Sequence, residues 1–329
     1  MVTIGNYNID ANVFMAPMSG CTDLPFRLIA REHGAKLCFF EMIDSNSLVF
    51  CPKTNVDILR TNNKDLPIAA QLVGSDPDIM LKAAKKLVDM LDIKFLDINA
   101  ACPVKKIIKK KAGAYFLRDP QTLYKMIHSF ASKLSVPITV KLRTGYLKPD
   151  IDNIVNISKN CQKNGASAIF LHGRTQKQGY SGEIDYAAIK AVKQAVKIPV
   201  FGSGNIISPQ LAKKMIDETG CDAVIAARGA LGNPWIFKNI EQYLKDGTLP
   251  HSIDIKTKIK TLNKHLSYID RYRDLLPSSK LGYMKKVSLW YLKKFSNASR
   301  MRNMVNSAAD REELNELLGS IADTNAETP

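Results

Sequence analysis

The chain has 329 residues, 45% hydrophobic and 24% charged, with a formal net charge of +16. That composition excludes disordered and collagen-like chains and allows one core of roughly 250 residues plus an appendage. No stretch approaches the ~18 uncharged apolar residues a membrane span needs, and residues 1–10 lack the basic-then-apolar layout of a secretory signal, so a cytoplasmic protein with no membrane partner is expected.

In chain order, short apolar, β-branched runs fall at 13–18, 37–42, 68–74, 95–100, 138–142, 168–172, 199–202 and 223–227. Amphipathic stretches at 78–91, 120–134, 151–164, 185–196 and 209–219 lie between them, with the least regular connection after Met42. Strands alternating with helical patterns make parallel sheets with crossover helices. Eight such units in ~240 residues, without GxGxxG after the first run, predict an α/β fold of the (β/α)8 TIM-barrel type over an open doubly wound sheet.

After Trp235 the β-branched runs thin out, and from Ile253 Lys, Leu, Met and aromatic residues recur at helical spacing, predicting a smaller C-terminal all-α domain. The expected division is a barrel over 1–245, a linker at 247–250, a basic helical domain over 251–320 and a flexible tail over 321–329. Pro277-Ser278-Ser279 is expected to break two helices. Residues 251–305 hold thirteen Lys/Arg against three Asp/Glu, whereas 306–329 hold one Arg against six acids. A basic segment concentrated on a helical appendage favours a nucleic-acid partner over a merely solvated face.

Six cysteines are scattered without a CxxC pair or a His at ligand spacing, so neither a disulfide framework nor a metal site is indicated. In a barrel the reactive groups sit at the carboxyl ends of the strands. Those ends are polar here: Ala16-Pro17-Met18-Ser19-Gly20, Gln71, Asn99, Lys141, His172-Gly173-Arg174, Gly202-Ser203-Gly204-Asn205 and Ala227-Arg228-Gly229. The last two loops are small-residue turns that let backbone N–H groups approach a phosphate, although each alone is also an ordinary turn. Lys141 follows a buried run in phase with Thr139, so it points to the barrel interior, where a fixed cation suits an anionic reduced flavin. His172 is placed to donate to the same ring edge, or to be a satisfied structural histidine.

Cys102 lies on a loop just beyond a strand end, followed by Pro103 and by Lys105, Lys106, Lys109, Lys110 and Lys111. That setting exposes it to substrate, where a thiol can serve as a general acid, whereas Cys38 and Cys221 sit in or beside apolar runs and suit core packing.

Six ordered motifs resemble the tRNA-dihydrouridine synthases, most like their bacterial B-type branch. They are Ala16-Pro17-Met18-Ser19-Gly20-Cys21-Thr22-Asp23, Gln71-Leu72-Val73-Gly74, and Asp97-Ile98-Asn99 with Cys102-Pro103-Val104-Lys105-Lys106. Val140-Lys141-Leu142-Arg143-Thr144-Gly145 follows, then His172-Gly173-Arg174-Thr175 with Gly179-Tyr180-Ser181-Gly182, then Ala227-Arg228-Gly229-Ala230-Leu231-Gly232-Asn233-Pro234-Trp235. The resemblance implies an FMN enzyme, recharged by NADPH, that reduces the C5–C6 bond of particular uridines in tRNA, with no obligate protein partner. It implies that Pro17, Met18 and Ser19 line the flavin, Gln71 bonds its edge, and Lys141 and His172 face its N1/O2 side. Ser203, Gly204, Asn205, Ala227 and Arg228 would hold its phosphate. Cys102 would protonate C5, and Asn99 and Arg174 would contact the base or the flavin edge. Lys105 and Lys106 beside the thiol, and Lys285, Lys286, Lys293, Lys294, Arg300 and Arg302 on the appendage, are the expected tRNA contacts. The chain departs from the family's common pattern at Ala100-Ala101 (often Met-Gly), Asn205 (Asp) and Ala227 (Gly).

Two other readings compete: a dihydroorotate-dehydrogenase-like barrel acting on a free pyrimidine, which leaves the basic appendage without a role, and a non-catalytic RNA-binding protein that retained the barrel as scaffold.

Overall fold

A computed structural model gives the placement of residues 1–293, 295 and 297–324, apart from the side chains of Thr54 and Thr324. It opens on a hairpin that the sequence reading did not find, β1 (Val2–Ile4) paired antiparallel with β2 (Tyr7–Ile9), whose three-residue strands are too short to show a period. Eight parallel strands follow: β3 (Val13–Met15), β4 (Cys38–Asp44), β5 (Ile68–Val73), β6 (Ile93–Asn99), β7 (Ile138–Arg143), β8 (Ala168–His172), β9 (Val200–Ser203) and β10 (Ala223–Ala226). They pair in the order β3-β10-β9-β8-β7-β6-β5-β4, and Met15 N–H donates to Leu37 O at 3.2 Å where β3 and β4 meet. The expected (β/α)8 barrel is therefore present.

The helices that follow the strands are α1 (Leu24–Glu32), α2 (Ser45–Phe50), α3 (Pro77–Met90), α4 (Lys105–Lys109), α5 (Pro120–Lys133), α6 (Ile151–Lys163), α7 (Tyr186–Ala195), α8 (Pro209–Thr219) and α9 (Ile236–Asp246). Side chains fix where most of them begin. Asp23, Asp44, Asp76, Asp150, Asp185 and Ser208 each accept from a first-turn backbone N–H of α1, α2, α3, α6, α7 and α8. Then come α10 (Ile255–Tyr272), α11 (Pro277–Tyr291), α12 (Ala298–Ser307) and α13 (Arg311–Thr324). Two expectations need correction here. Residues 277–279 do not break helices: Pro277 opens α11, where its missing N–H costs nothing, and the break lies at 273–276. Nor does the chain fray at 321, since α13 continues to Thr324 and Ile321 is buried; residues 325–329 lie outside the described residues.

Successive strand residues face opposite sides, so residues two apart share the barrel interior. At mid-height Phe14, Phe39, Phe95, Phe170 and Phe201 form one apolar cluster, with Val2, Ile4 and Ile9 of the hairpin packed beneath it. Two residues further along the same strands come Ala16, Glu41, Asp97, His172 and Ser203, beside Gln71 and Lys141. The same period thus gives a greasy floor and a polar mouth.

The C-terminal helices dock on α1: Trp290 packs edge-on against Phe26 at 5.9 Å, and Glu32 accepts from Tyr268 Oη at 2.6 Å and pairs with Lys264. Among the described residues, no helix is long and apolar enough to cross a membrane.

Candidate active site

Four buried polar side chains link the barrel interior to the Cys102 loop. Thr139 Oγ1 donates to Asp97 Oδ1 at 2.7 Å, and Gln71 Nε2 donates to Asp97 Oδ2 at 2.7 Å. Gln71 Oε1 accepts from Asn99 Nδ2 at 2.7 Å. Asn99 Oδ1 in turn accepts from Ala101 N–H at 3.1 Å and Cys102 N–H at 2.9 Å. The peptide end has fixed polarity, because an N–H only donates, so Asn99 must turn Oδ1 to it and Nδ2 to Gln71, and Gln71 in turn presents Oε1 to Asn99 and Nε2 to Asp97, a single satisfied orientation for the two amides. Burial pushes the Asp97 carboxyl up, against the hydrogen bonds from Thr139 and Gln71 and the charge of Lys141.

Arg143, buried on β7, ties this loop to the one after β8. Its Nε donates to Ala101 O at 2.6 Å, and its Nη1 donates to Thr175 O at 2.9 Å and Gly179 O at 2.8 Å. The Cys102 thiol is half-buried and pushed up by burial, partly offset by the Val104 N–H and the Arg143 charge. It is therefore protonated at neutral pH and able to donate.

Lys141 ends beside Ser203 Oγ at 3.4 Å, and burial together with Arg143 lowers its affinity for the proton while Asp97 opposes this. The same burial and the charges of Lys141, Arg143, Arg174 and Arg228 hold His172 well below its ordinary value, so its imidazole is neutral. Its Nδ1 is buried and finds no partner among the described residues. Beyond β9, Gly204 takes φ +124° and Asn205 φ +53°, conformations that turn the backbone sharply. Asn205 Oδ1 accepts from Arg174 Nη2 at 3.0 Å, and the Nη1 of that guanidinium is buried without a partner among the described residues. Arg228 is exposed, lies over the exposed Tyr180 ring at 5.1 Å and donates to Tyr180 O at 3.1 Å. The mouth is thus strongly cationic, with anion-facing groups clustered after β8, β9 and β10.

The sequence model of the dihydrouridine synthase (Dus) family matches residues 14–327. The chain belongs to the dihydrouridine synthase family. Curated relatives include the tRNA-dihydrouridine synthase B of Pseudomonas aeruginosa, 35% identical over 314 residues covering 95% of this chain and 93% of that protein. The tRNA-dihydrouridine synthase B of Proteus vulgaris is 36% identical over 317 residues, covering 96% of each chain. Among solved structures, a morphinone reductase mutant in complex with tetrahydroNAD superposes with a TM-score of 0.55 at 13% identity, covering 78% of this chain and 92% of that one. The old yellow enzyme from Trypanosoma cruzi gives 0.54 at 11% identity, covering 78% and 94%. These two share the barrel fold.

In this dihydrouridine synthase, Pro17, Met18, Ser19, Gln71, Asn99, Cys102, Lys141, His172, Arg174, Ser203, Gly204, Asn205, Ala227 and Arg228 all fall in the carboxyl-terminal halves of the strands or in the loops that follow them. Lys105 and Lys106 are exposed on α4. The appendage cations divide. Lys285 Nζ donates to Asn306 O at 2.9 Å and Lys286 Nζ to Gly20 O at 2.7 Å, whereas Lys293, Arg300 and Arg302 are exposed; Lys294 lies outside the described residues. Sequence reasoning gave no role to Asp97, Arg143 or Glu41. The signal was the two-residue step, which puts Asp97 in phase with Asn99 and Arg143 in phase with Lys141.

Proposed function

We propose that the chain reduces the C5–C6 double bond of specific uridines in tRNA to 5,6-dihydrouridine, using FMN held at the barrel mouth and NADPH as reductant. The donor set fits such a group: an unpartnered His172 Nδ1 and Arg174 Nη1, a fixed cation in Lys141, and sharply turned backbone at Gly204 and Asn205. Pro17, Met18, Ser19, Gln71, Lys141 and His172 would hold the ring, and Ser203, Gly204, Asn205, Ala227, Arg228 and Arg174 the phosphate end. When bound, FMN recharged by NADPH supplies the hydride that reaches C6 of the base.

The observation that carries this reading is Cys102, a protonated thiol on a loop pinned by Asn99 and Arg143 above the barrel mouth. As hydride reaches C6, enolate character develops on C5–C4, and the Cys102 thiol gives its proton to C5. Asn99 holds the loop and lies where it would also meet the base. In this reading residues 1–245 form the flavin-binding barrel and 251–320 the tRNA-recognition domain. Its exposed cations Lys293, Arg300 and Arg302 would meet phosphates, as would Lys105 and Lys106 beside the thiol.

The test is reoxidation of prereduced enzyme by tRNA for Cys102→Ala beside Cys21→Ala. The Cys102 variant should bind FMN and accept electrons from NADPH as wild type does, while its reoxidation by tRNA slows by about 100-fold or more. Reoxidation at the wild-type rate would end the acid assignment.

A further inference from the structure

Lys286 lies on the helical appendage, yet its ammonium reaches the barrel. Its Nζ donates to Gly20 O at 2.7 Å and sits over the rings of Tyr283 at 5.2 Å and Trp290 at 5.4 Å. The other side of the same residue is also held, because Gly20 N–H donates to the buried carboxylate of Glu41 on β4. Gly20 takes φ +70°, and a Cβ there would lie 3.5 Å from Lys286 Nζ. The turn is closed beneath this clamp, with Cys21 N–H and Thr22 N–H donating to Met18 O at 3.0 and 3.1 Å. Trp290 itself packs on Phe26 of α1, so the lysine is anchored at both ends of its reach.

We propose that Lys286 is a positioning residue for the loop Pro17-Met18-Ser19-Gly20, holding from the appendage the segment that lines the cofactor. This rests on the flavin reading above, but the clamp itself is a property of the chain. A hydrogen bond from a full charge is stronger than one between neutral groups, and here it crosses between the barrel and the C-terminal helices.

Lys286→Met and Lys286→Arg, each in the full chain, provide the test, with two readouts taken without tRNA. The first is FMN affinity: Lys286→Met raises Kd about ten-fold, and Lys286→Arg, which can still donate to the carbonyl, stays within about two-fold of wild type. The second is iodoacetamide alkylation of Cys21 in FMN-free protein, followed by peptide mass spectrometry across pH. Burial raises the pKa of the Cys21 thiol and the Lys286 charge opposes it, so the profile moves to higher pH in Lys286→Met; a loosened loop also raises the limiting rate at high pH beyond the roughly three-fold per pKa unit that the more basic thiolate brings by itself. Lys286→Gln serves in place of Lys286→Met if the latter fails to fold. A limiting rate for Cys21 raised no further than that basicity effect overturns the proposal, whatever happens to tRNA affinity. Should FMN bind to neither wild type nor variant, the flavin reading falls while the Cys21 rate still decides the clamp.

Discussion

The amide relay between Asp97 and the Cys102 loop has a direction, and reversing that direction tests it. Asn99→Asp leaves Ala101 N–H and Cys102 N–H with an acceptor but turns a second acceptor toward Gln71 Oε1, which now receives Asn99 Nδ2 at 2.7 Å. If the Gln71 amide rotates to satisfy the new carboxylate, its oxygen meets Asp97 instead. One buried pair of acceptors faces itself either way, at a cost of about 1–3 kcal/mol. Repulsion from Asp97 is offset by attraction to Lys141, which neighbours position 99 across the β6/β7 pairing, so the hydrogen-bond loss decides the sign. Adding Asp97→Asn reverses the whole chain: the new amide donates to Gln71 Oε1, Gln71 Nε2 donates to the new carboxylate, and Thr139 still has an oxygen to donate to. The double variant should therefore recover about 2 kcal/mol of the sum of the single effects. Asn99→Asp should also unfold more easily as pH rises. Two acids in one buried site hold a shared proton above the unfolded carboxylate range, and that contribution is present at low pH and lost as pH climbs through the raised value. Urea midpoints for the four proteins at two pH values measure both effects. Additivity within about 0.5 kcal/mol would refute a directed relay.

Lys141→Ala should weaken FMN binding or slow flavin bleaching by NADPH in stopped flow, because the ring loses its nearest fixed cation; unchanged flavin content and unchanged rate would remove Lys141 from the cofactor site. Affinity for tRNA should fall steeply with salt, with a slope of about 0.7–0.9 per neutralised phosphate, and charge reversal at Lys293, Arg300 and Arg302 should flatten that slope without touching NADPH oxidation. A slope unchanged after all three reversals would exclude this face.

The barrel was legible because eight β-branched runs alternate with amphipathic stretches, and the run at 168–172 coincides with β8 to the residue. Boundaries slipped where the chain leaves the ladder without losing its apolar character: the first run continues to Met18, but β3 ends at Met15 because the following residues form the turn closed on Met18 O. Candidate residues at strand ends were found one at a time by their polarity. Their partnership was not legible, since Asp97 and Gln71 lie 26 positions apart and Arg143 reaches Ala101 across 42. Nor does any local pattern distinguish Lys286, bonded to the barrel, from Arg302, exposed to solvent.

The departures from the common family pattern carry different physical weights. Replacing a flexible pair by Ala100-Ala101 would matter if either residue needed a left-handed backbone, but among the described residues only Lys111 and Asn205 take positive φ without being glycine. Both alanines are buried, and the peptide of Ala101 is already held by Asn99 and Arg143, so the methyl groups stiffen the loop that carries Cys102 without straining it. Asn205 acts in another way. Its left-handed conformation is one that Asn tolerates, and its side chain still accepts from Arg174. A carboxylate at 205 would cancel the Arg174 charge, whereas the amide orients the guanidinium and leaves that charge, with its unpartnered Nη1, for an incoming anion. Asn205 therefore leaves the positive charge of Arg174 uncancelled between the loops after β8 and β9.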